Sequence, residues 1–196
     1  MVISVVGKSG SGKTTIANIF ESLDERIIHI DVDKIAHQVL TYPEVKEKIK
    51  KSFSNECVVS DQVQRKVLGQ IVFSSSDKMQ ILTEITWPPM EAIIDQILID
   101  NPDKIIILDW LLLPKTKFFN QSDLRIWVNS STKERLERVL KRSSPTENIS
   151  REYFLKRDSA DIDYEEEKYD VVINNTNANN IFEEVKKLYE KSIISR

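Results

Sequence analysis

The chain of 196 residues has a single cysteine, Cys57, so no internal disulfide can form, which fits a reducing compartment. Its two histidines, His29 and His37, lie eight residues apart with no cysteine nearby, and they read as ordinary residues rather than metal ligands. No apolar stretch approaches the roughly 20 residues needed to span a bilayer. The longest runs, such as Ile105 to Leu108 and Trp110 to Leu113, are far shorter. Nothing near the N-terminus resembles a signal peptide, because a strand-like run begins there and a glycine loop follows at once. A basic excess is missing too. Lys and Arg number 28 against 31 Asp and Glu, and the formal net charge of −3 argues against nucleic acid as the main partner. Internal repeats and low-complexity segments are absent. These absences lead to the expectation of a cytoplasmic protein with neither a membrane nor a nucleic-acid partner. With 40% apolar and 30% charged residues, the composition is that of an ordinary globular chain that can bury a sizeable core.

Glycine is scarce, with four in the chain, and three of them fall within six residues. Gly7-Lys8-Ser9-Gly10-Ser11-Gly12-Lys13-Thr14 fits the pattern G-x-x-x-x-G-K-[ST]. Before it, Met1 to Val6 reads as a buried strand. After it, Ile16, Ile19, Phe20 and Leu23 have the spacing of a helix face. Strand, glycine loop and helix together are the context of a triphosphate site. The loop's N–H groups turn inward on phosphate oxygens, and the helix N-terminus adds partial positive charge. Gly7, Ser9, Gly10, Ser11, Gly12, Lys13, Thr14 and Thr15 are the expected nucleotide-binding residues, with Lys13 reaching the β- and γ-phosphates and Thr14 ligating Mg²⁺. ATP and Mg²⁺ are the expected cofactors.

Four more apolar runs, at Ile27 to Ile30, Ile105 to Leu108, Leu124 to Val128 and Val171 to Ile173, suit strands covered on both faces. Helical patterns lie between them, at 132–142 behind Ser131 or Thr132 as N-cap, and at 179–194. The fold expected is a doubly wound α/β domain over 1–196, with a five-stranded parallel sheet behind the phosphate loop. Residues 33–100 hold no convincing strand and predict several helices, one of them broken at Pro88-Pro89 with a second helix starting near Pro89. This helical insert, about 34–100, is a natural place for an acceptor pocket. The polar residues 143–168 predict a mobile region, with a lid at about 142–160.

Phosphoryl transfer needs positioned phosphates, a metal, positive charge and an oriented acceptor. The C-terminal ends of parallel strands ring the crevice. Asp33, after the second strand, is the candidate to take or orient the acceptor hydroxyl proton. Asp31 either holds Mg²⁺ through water or braces Lys13, and one of the two acids could instead cap the next helix. Asp109, after four apolar residues, is the acid expected to support the metal. Arg138 and Arg142 share a helix face and are expected to bring guanidinium groups onto the phosphates, whereas Arg135 and Lys141 read as a solvated face. The polar cluster Asn174 to Asn177 either borders the adenine, with Asn175 as the contact, or is just a turn. No guanine-recognition or transporter signature is present.

These features resemble the dephospho-CoA kinases over nearly the whole chain. The resemblance rests on Asp31-Val32-Asp33-Lys34-Ile35-Ala36-His37, on Arg65, Leu68 and Ile71-Val72-Phe73-Ser74, on Trp87-Pro88, on Ile105 to Leu113, and on Val172-Ile173-Asn174-Asn175. It implies transfer of the ATP γ-phosphate to the 3′-hydroxyl of dephospho-CoA, with Asp33 as base and the pantetheine arm in the helical insert. The sequence departs from the family pattern at His37, where arginine is usual, at Trp87 in place of histidine, and near Arg157-Asp158-Ser159 in the lid helix, where glutamine is typical. A nucleoside or nucleoside monophosphate kinase, or a nucleotide-binding module without turnover, would share the same loop.

Overall fold

The computed structural model describes residues 1–142, 150–159, 162–176 and 180–194. Residues 143–149 and 160 of the expected lid, Pro145 among them, and Asn177 of the polar turn lie outside the described residues. The chain forms two compact units, one of Met1–Asp31 with Asp103–Arg196 and the other of Val32–Pro102.

The first unit is built on five parallel strands, β1 (Val2–Val6), β2 (Ile27–Asp31), β5 (Ile105–Asp109), β6 (Leu124–Asn129) and β7 (Val171–Asn174), in the order β2-β5-β1-β6-β7. Helices α1 (Lys13–Leu23), α6 (Lys117–Gln121), α7 (Thr132–Arg142), α8 (Arg151–Asp158) and α9 (Ile181–Tyr189) belong to it. The continuous β-branched runs explain the central position of β1 and β5, since a strand covered on both faces cannot alternate with polar residues. Every residue of β5 is buried. Ile3, Val5, Ile16, Phe20, Ile107, Ile126, Ile173 and Val185 form the core between the sheet and the helices α1 and α9. The parallel register sets Asp31 beside Asp109 at the C-terminal strand ends.

Helix α7 begins with a reciprocal cap. The Ser131 hydroxyl accepts from the Glu134 N–H at 3.3 Å, and the Glu134 carboxylate accepts from the Ser131 N–H at 3.3 Å. Of the two caps the sequence allows, Ser131 is the one used.

The second unit contains α2 (Val32–Val39), α3 (Pro43–Ser52), α4 (Arg65–Val72) and α5 (Ser76–Asp100) around Val45, Ile49, Cys57, Leu68, Val72 and Ile85. Cys57 is buried there, and burial pushes its thiol pKa up. Two differences from the sequence reading appear. A short hairpin, β3 (Val58–Val59) with β4 (Gln62–Val63), interrupts the helices. Its turn places Ser60 and Asp61 at φ 49° and 60°, and Lys46 steadies it by donating to the Asp61 carbonyl at 3.1 Å and carboxylate at 2.5 Å. The second difference is α5, which runs unbroken for 25 residues through Pro88 and Pro89. Each interior proline costs about 3 kcal/mol. Ile85, Met90 and Ile94 are buried on both sides of the pair, at roughly 1.5–3 kcal/mol apiece. Tertiary burial therefore offsets the local penalty and keeps one helix where two were expected.

At the foot of the first unit Asp24 accepts from the Arg26 side chain at 2.7 Å and from the Tyr189 hydroxyl at 3.0 Å, joining the end of α1 to α9. The Arg26 hydrogen bonds hold the Asp24 carboxyl far below the usual carboxylate range. A depressed native pKa stabilises the fold above the unfolded value of about 3.9 and loses that stabilisation as pH falls through the native value. Asp24→Asn should therefore lower Tm at pH 7, and the gap to wild type should narrow below about pH 4. Thermal scans by circular dichroism across pH would read this, and a gap independent of pH would count against the linkage.

Candidate active site

The loop between β1 and α1 curls through two left-handed glycines, Gly10 at φ 78° and Gly12 at φ 97°. A Cβ on Gly12 would lie 2.1 Å from Asn175 Nδ2, and one on Gly10 would lie 2.6 Å from the Arg135 carbonyl oxygen. Both positions thus require glycine on conformation and on space. Gly12 caps α1 without a side-chain hydrogen bond, and the first turn, Lys13 to Ile16, has no acidic residue. A helix start with neither cap nor acid is open to an external anion. The donors present fit a triphosphate, with Lys13 half-buried as the first helical residue.

The loop is held from its carbonyl side. Arg138 Nη1 donates to the carbonyls of Gly10 at 3.4 Å and Ser11 at 3.2 Å, and to the Ser130 hydroxyl at 3.0 Å, while its Nη2 donates to the Asn175 carbonyl at 3.0 Å. Asn175 Nδ2 donates to the Ser11 carbonyl at 2.7 Å. In a planar trans peptide the C=O and the following N–H point opposite ways. Fixing the Ser11 carbonyl outward therefore turns the Gly12 N–H inward. Asn175, expected beside the adenine or in a plain turn, braces the loop. Arg138 does the same from α7, and Arg142, expected with it on the phosphates, is exposed at the helix end.

Arg135 corrects the sequence reading. Expected on a solvated face, it is 4% exposed. Its Nε donates to the Ser130 carbonyl at 3.1 Å, and its Nη1 to the Ser9 carbonyl at 3.4 Å. The same guanidinium pairs with both carboxylate oxygens of Asp158 at the end of α8 and lies over the Phe154 ring. Those bonds hold the Asp158 carboxyl below the usual carboxylate range, against the opposing effect of burial. The spacing i, i+3 with Arg138 was the available signal, since residues so spaced share a face.

The metal candidates also meet. The Thr14 hydroxyl donates to Asp109 Oδ2 at 2.7 Å, and Asp109 is 3% exposed. Asp31 is its neighbour in register. His29, read from sequence as ordinary, places Nε2 3.4 Å from the same Asp109 oxygen, with Nδ1 3.1 Å from Asn18 Oδ1. It lies two residues before Asp31 on one strand, so the alternation of strand side chains was the signal for it. Among the described residues no cluster of three or more His, Cys, Asp or Glu could hold a metal ion by itself, so a divalent ion here would also need Thr14 and phosphate oxygens, as Mg²⁺ commonly does.

In the second unit, Asp33 is exposed in the first turn of α2. A cavity of about 610 Å³ there is lined by His37, Thr41, Lys46, Asp61, Gln62 and Arg65, among others. Arg65 Nη1 donates to His37 Nε2 at 2.9 Å, which leaves the neutral ring's proton on Nδ1. The residue that departs from the family pattern at 37 thus holds an arginine in place.

A five-stranded parallel sheet with a phosphate loop after its central strand, a buried acid on the neighbouring strand and a helical unit after β2 define a P-loop kinase fold. Comparison with known proteins narrows this. The family model described as dephospho-CoA kinase matches residues 1–180, and the chain belongs to that family. A dephospho-CoA kinase of Dehalococcoides mccartyi is 30% identical over 190 residues, 94% of this chain and 92% of the relative. A dephospho-CoA kinase structure from Campylobacter jejuni is 28% identical, with a TM-score of 0.68 over 100% of this chain and 98% of the other. A crystal structure from Thermus thermophilus has a TM-score of 0.83 at 25% identity, covering 98% of this chain and 97% of that one. Family membership makes the chain an ATP-dependent kinase. Among the described residues no helix is long and apolar enough to cross a membrane.

Gly12→Ala should weaken ATP binding by about 5- to 150-fold, corresponding to the roughly 1–3 kcal/mol of a strained backbone position. Calorimetric titration of a variant with an unchanged far-ultraviolet spectrum would measure it. Wild-type affinity would mean that the left-handed turn at Gly12 is dispensable.

Proposed function

We propose that this kinase transfers the γ-phosphate of ATP to the 3′-hydroxyl of dephospho-CoA, giving coenzyme A and ADP. The observation that carries the reading is the family match over residues 1–180, joined to a phosphate loop whose amides are turned inward by Arg138 and Asn175. Loop amides of Gly10 and of Gly12 to Thr15 hold the phosphates, the Ser11 N–H being engaged by the Lys8 carbonyl at 3.0 Å, and Lys13 follows the migrating group. Asp33 accepts the proton of the acceptor hydroxyl as its oxygen forms the bond to the γ-phosphorus. The bond from that phosphorus to the β,γ-bridging oxygen breaks, and ADP carries away the electron pair. Thr14 and Asp109, with Asp31 beside them, would hold Mg²⁺. The chemistry such an ion would supply there is charge neutralisation of the triphosphate.

The cavity of the second unit presents Arg65, positioned by His37, a cation of the kind that binds an acceptor's diphosphate. Arginine is lost at position 37, but cationic recognition is kept through Arg65.

Asp33→Asn should lower kcat by about 10²–10⁴-fold, the usual contribution of a general base, while KM for ATP stays within about threefold. ADP release followed with dephospho-CoA, nucleosides and nucleoside monophosphates in turn tests both points. Release stimulated by nucleosides and not by dephospho-CoA would overturn the acceptor assignment, and an unimpaired Asp33→Asn would overturn the base. Asp109→Asn should raise the Mg²⁺ concentration for half-maximal rate about tenfold, in line with the loss of a metal-supporting group. A magnesium titration at saturating ATP reads it, and an unchanged midpoint would remove Asp109 from the metal site.

A further inference from the structure

We propose that Arg135 is a positioning residue for the nucleotide, coupling the curl of the phosphate loop to the docking of α8 through the Ser9 carbonyl on one side and the Asp158 carboxylate on the other. The inference rests on the reading of the loop as the ATP site and deepens it.

The guanidinium is fully engaged. Its Nε is on the Ser130 carbonyl, Nη2 on the Thr132 hydroxyl at 3.1 Å and on Asp158 at 2.9 Å, and Nη1 on Asp158 and the Ser9 carbonyl. A guanidinium has five N–H donors in a fixed fork, so moving one partner moves the rest. The Ser9 carbonyl held outward sets the Gly10 N–H inward, by the same peptide planarity that acts at Ser11. The backbone oxygen of Arg135 also fills the space that a side chain at position 10 would need. On the other side, Phe154 of α8 lies under the guanidinium and Asp158 ends that helix. A second link runs parallel: Lys8 of the loop donates to the Asp158 carbonyl at 3.3 Å and pairs with Asp163 at 2.7 Å. Helix α8 carries Arg151, Lys156 and Arg157. Where these cations lie relative to a bound nucleotide is therefore set by an arginine that contacts the loop only from behind.

The Asp158 carboxylate hydrogen-bonds Arg135, while on Lys8 of the loop it acts through its charge. Asp158→Asn removes that charge yet keeps an acceptor for the guanidinium, so comparing it with Asp158→Ala separates the route through Arg135 from the route through Lys8. Calorimetry with ATP, together with hydrogen exchange of the segment 151–158 with and without ATP, separates coupling from stability. In wild type, ATP should slow exchange across α8. In Asp158→Ala, ATP should bind about tenfold more weakly, within the usual range of coupling between linked sites, and its protection of α8 should vanish. Asp158→Asn keeps an acceptor for one guanidinium N–H, so it should fall between the two and serves if the alanine variant fails to fold. A lower Tm with unchanged ATP affinity and unchanged ATP-dependent protection of α8 would reduce the pair to a structural contact and overturn the coupling. Failure of wild type itself to bind ATP would overturn the reading of the loop, and the coupling with it.

Discussion

Backbone carbonyls held from outside the phosphate loop are the constraint on which the rest of the first unit depends. A ring of amides can face an anion only if the opposite ends of the same peptides have partners, because each buried carbonyl left unpaired costs free energy of the order of a lost hydrogen bond. Ser9 and Ser11 find those partners in Arg135, Arg138 and Asn175. Two of the three lie on α7 and the third follows β7. The order of strands in the sheet, with β6 and β7 successive on one side of β1, brings these elements to the loop. The sheet topology and the phosphate site are in this sense one arrangement.

The other side of the loop follows a different logic. There β5 and β2 end in acids aligned by the parallel register, and Thr14 joins them through Asp109. The loop is thus flanked by guanidinium and amide groups acting on oxygen atoms, and by carboxylates suited to a divalent cation.

The sequence made the sheet and the loop legible for definite reasons. Runs such as Ile105 to Leu108 have the apolar continuity of strands buried on both faces, and the glycine loop has its strand and helix on either side. The bracing residues were less legible. Arg135 and Arg138 sit in the same charged helix pattern as Lys141 and Arg142, and periodicity alone does not tell a buried guanidinium from a solvated one. That distinction needs the long-range partners, Asp158 in one case and Asn175 in the other. The prolines of α5 escaped for a related reason, since their local penalty was visible whereas the burial of Met90 and Ile94 that outweighs it was not. The hairpin at Val58 to Val63 uses Ser60 and Asp61 where glycine or asparagine would have announced a turn, and Lys46, distant in sequence, supplies the stabilisation.

The scarcity of glycine has a thermodynamic consequence for the whole polypeptide. Outside the phosphate loop a single glycine, Gly69, remains, and it lies within α4. Almost every other residue has a Cβ that restricts the denatured backbone, so comparatively little disorder is surrendered on folding. The residues with the widest torsional choice when unfolded are gathered where the native chain adopts its least common dihedral angles. The additional entropic cost that glycine brings to folding thereby falls mostly in the same short stretch that serves the ligand.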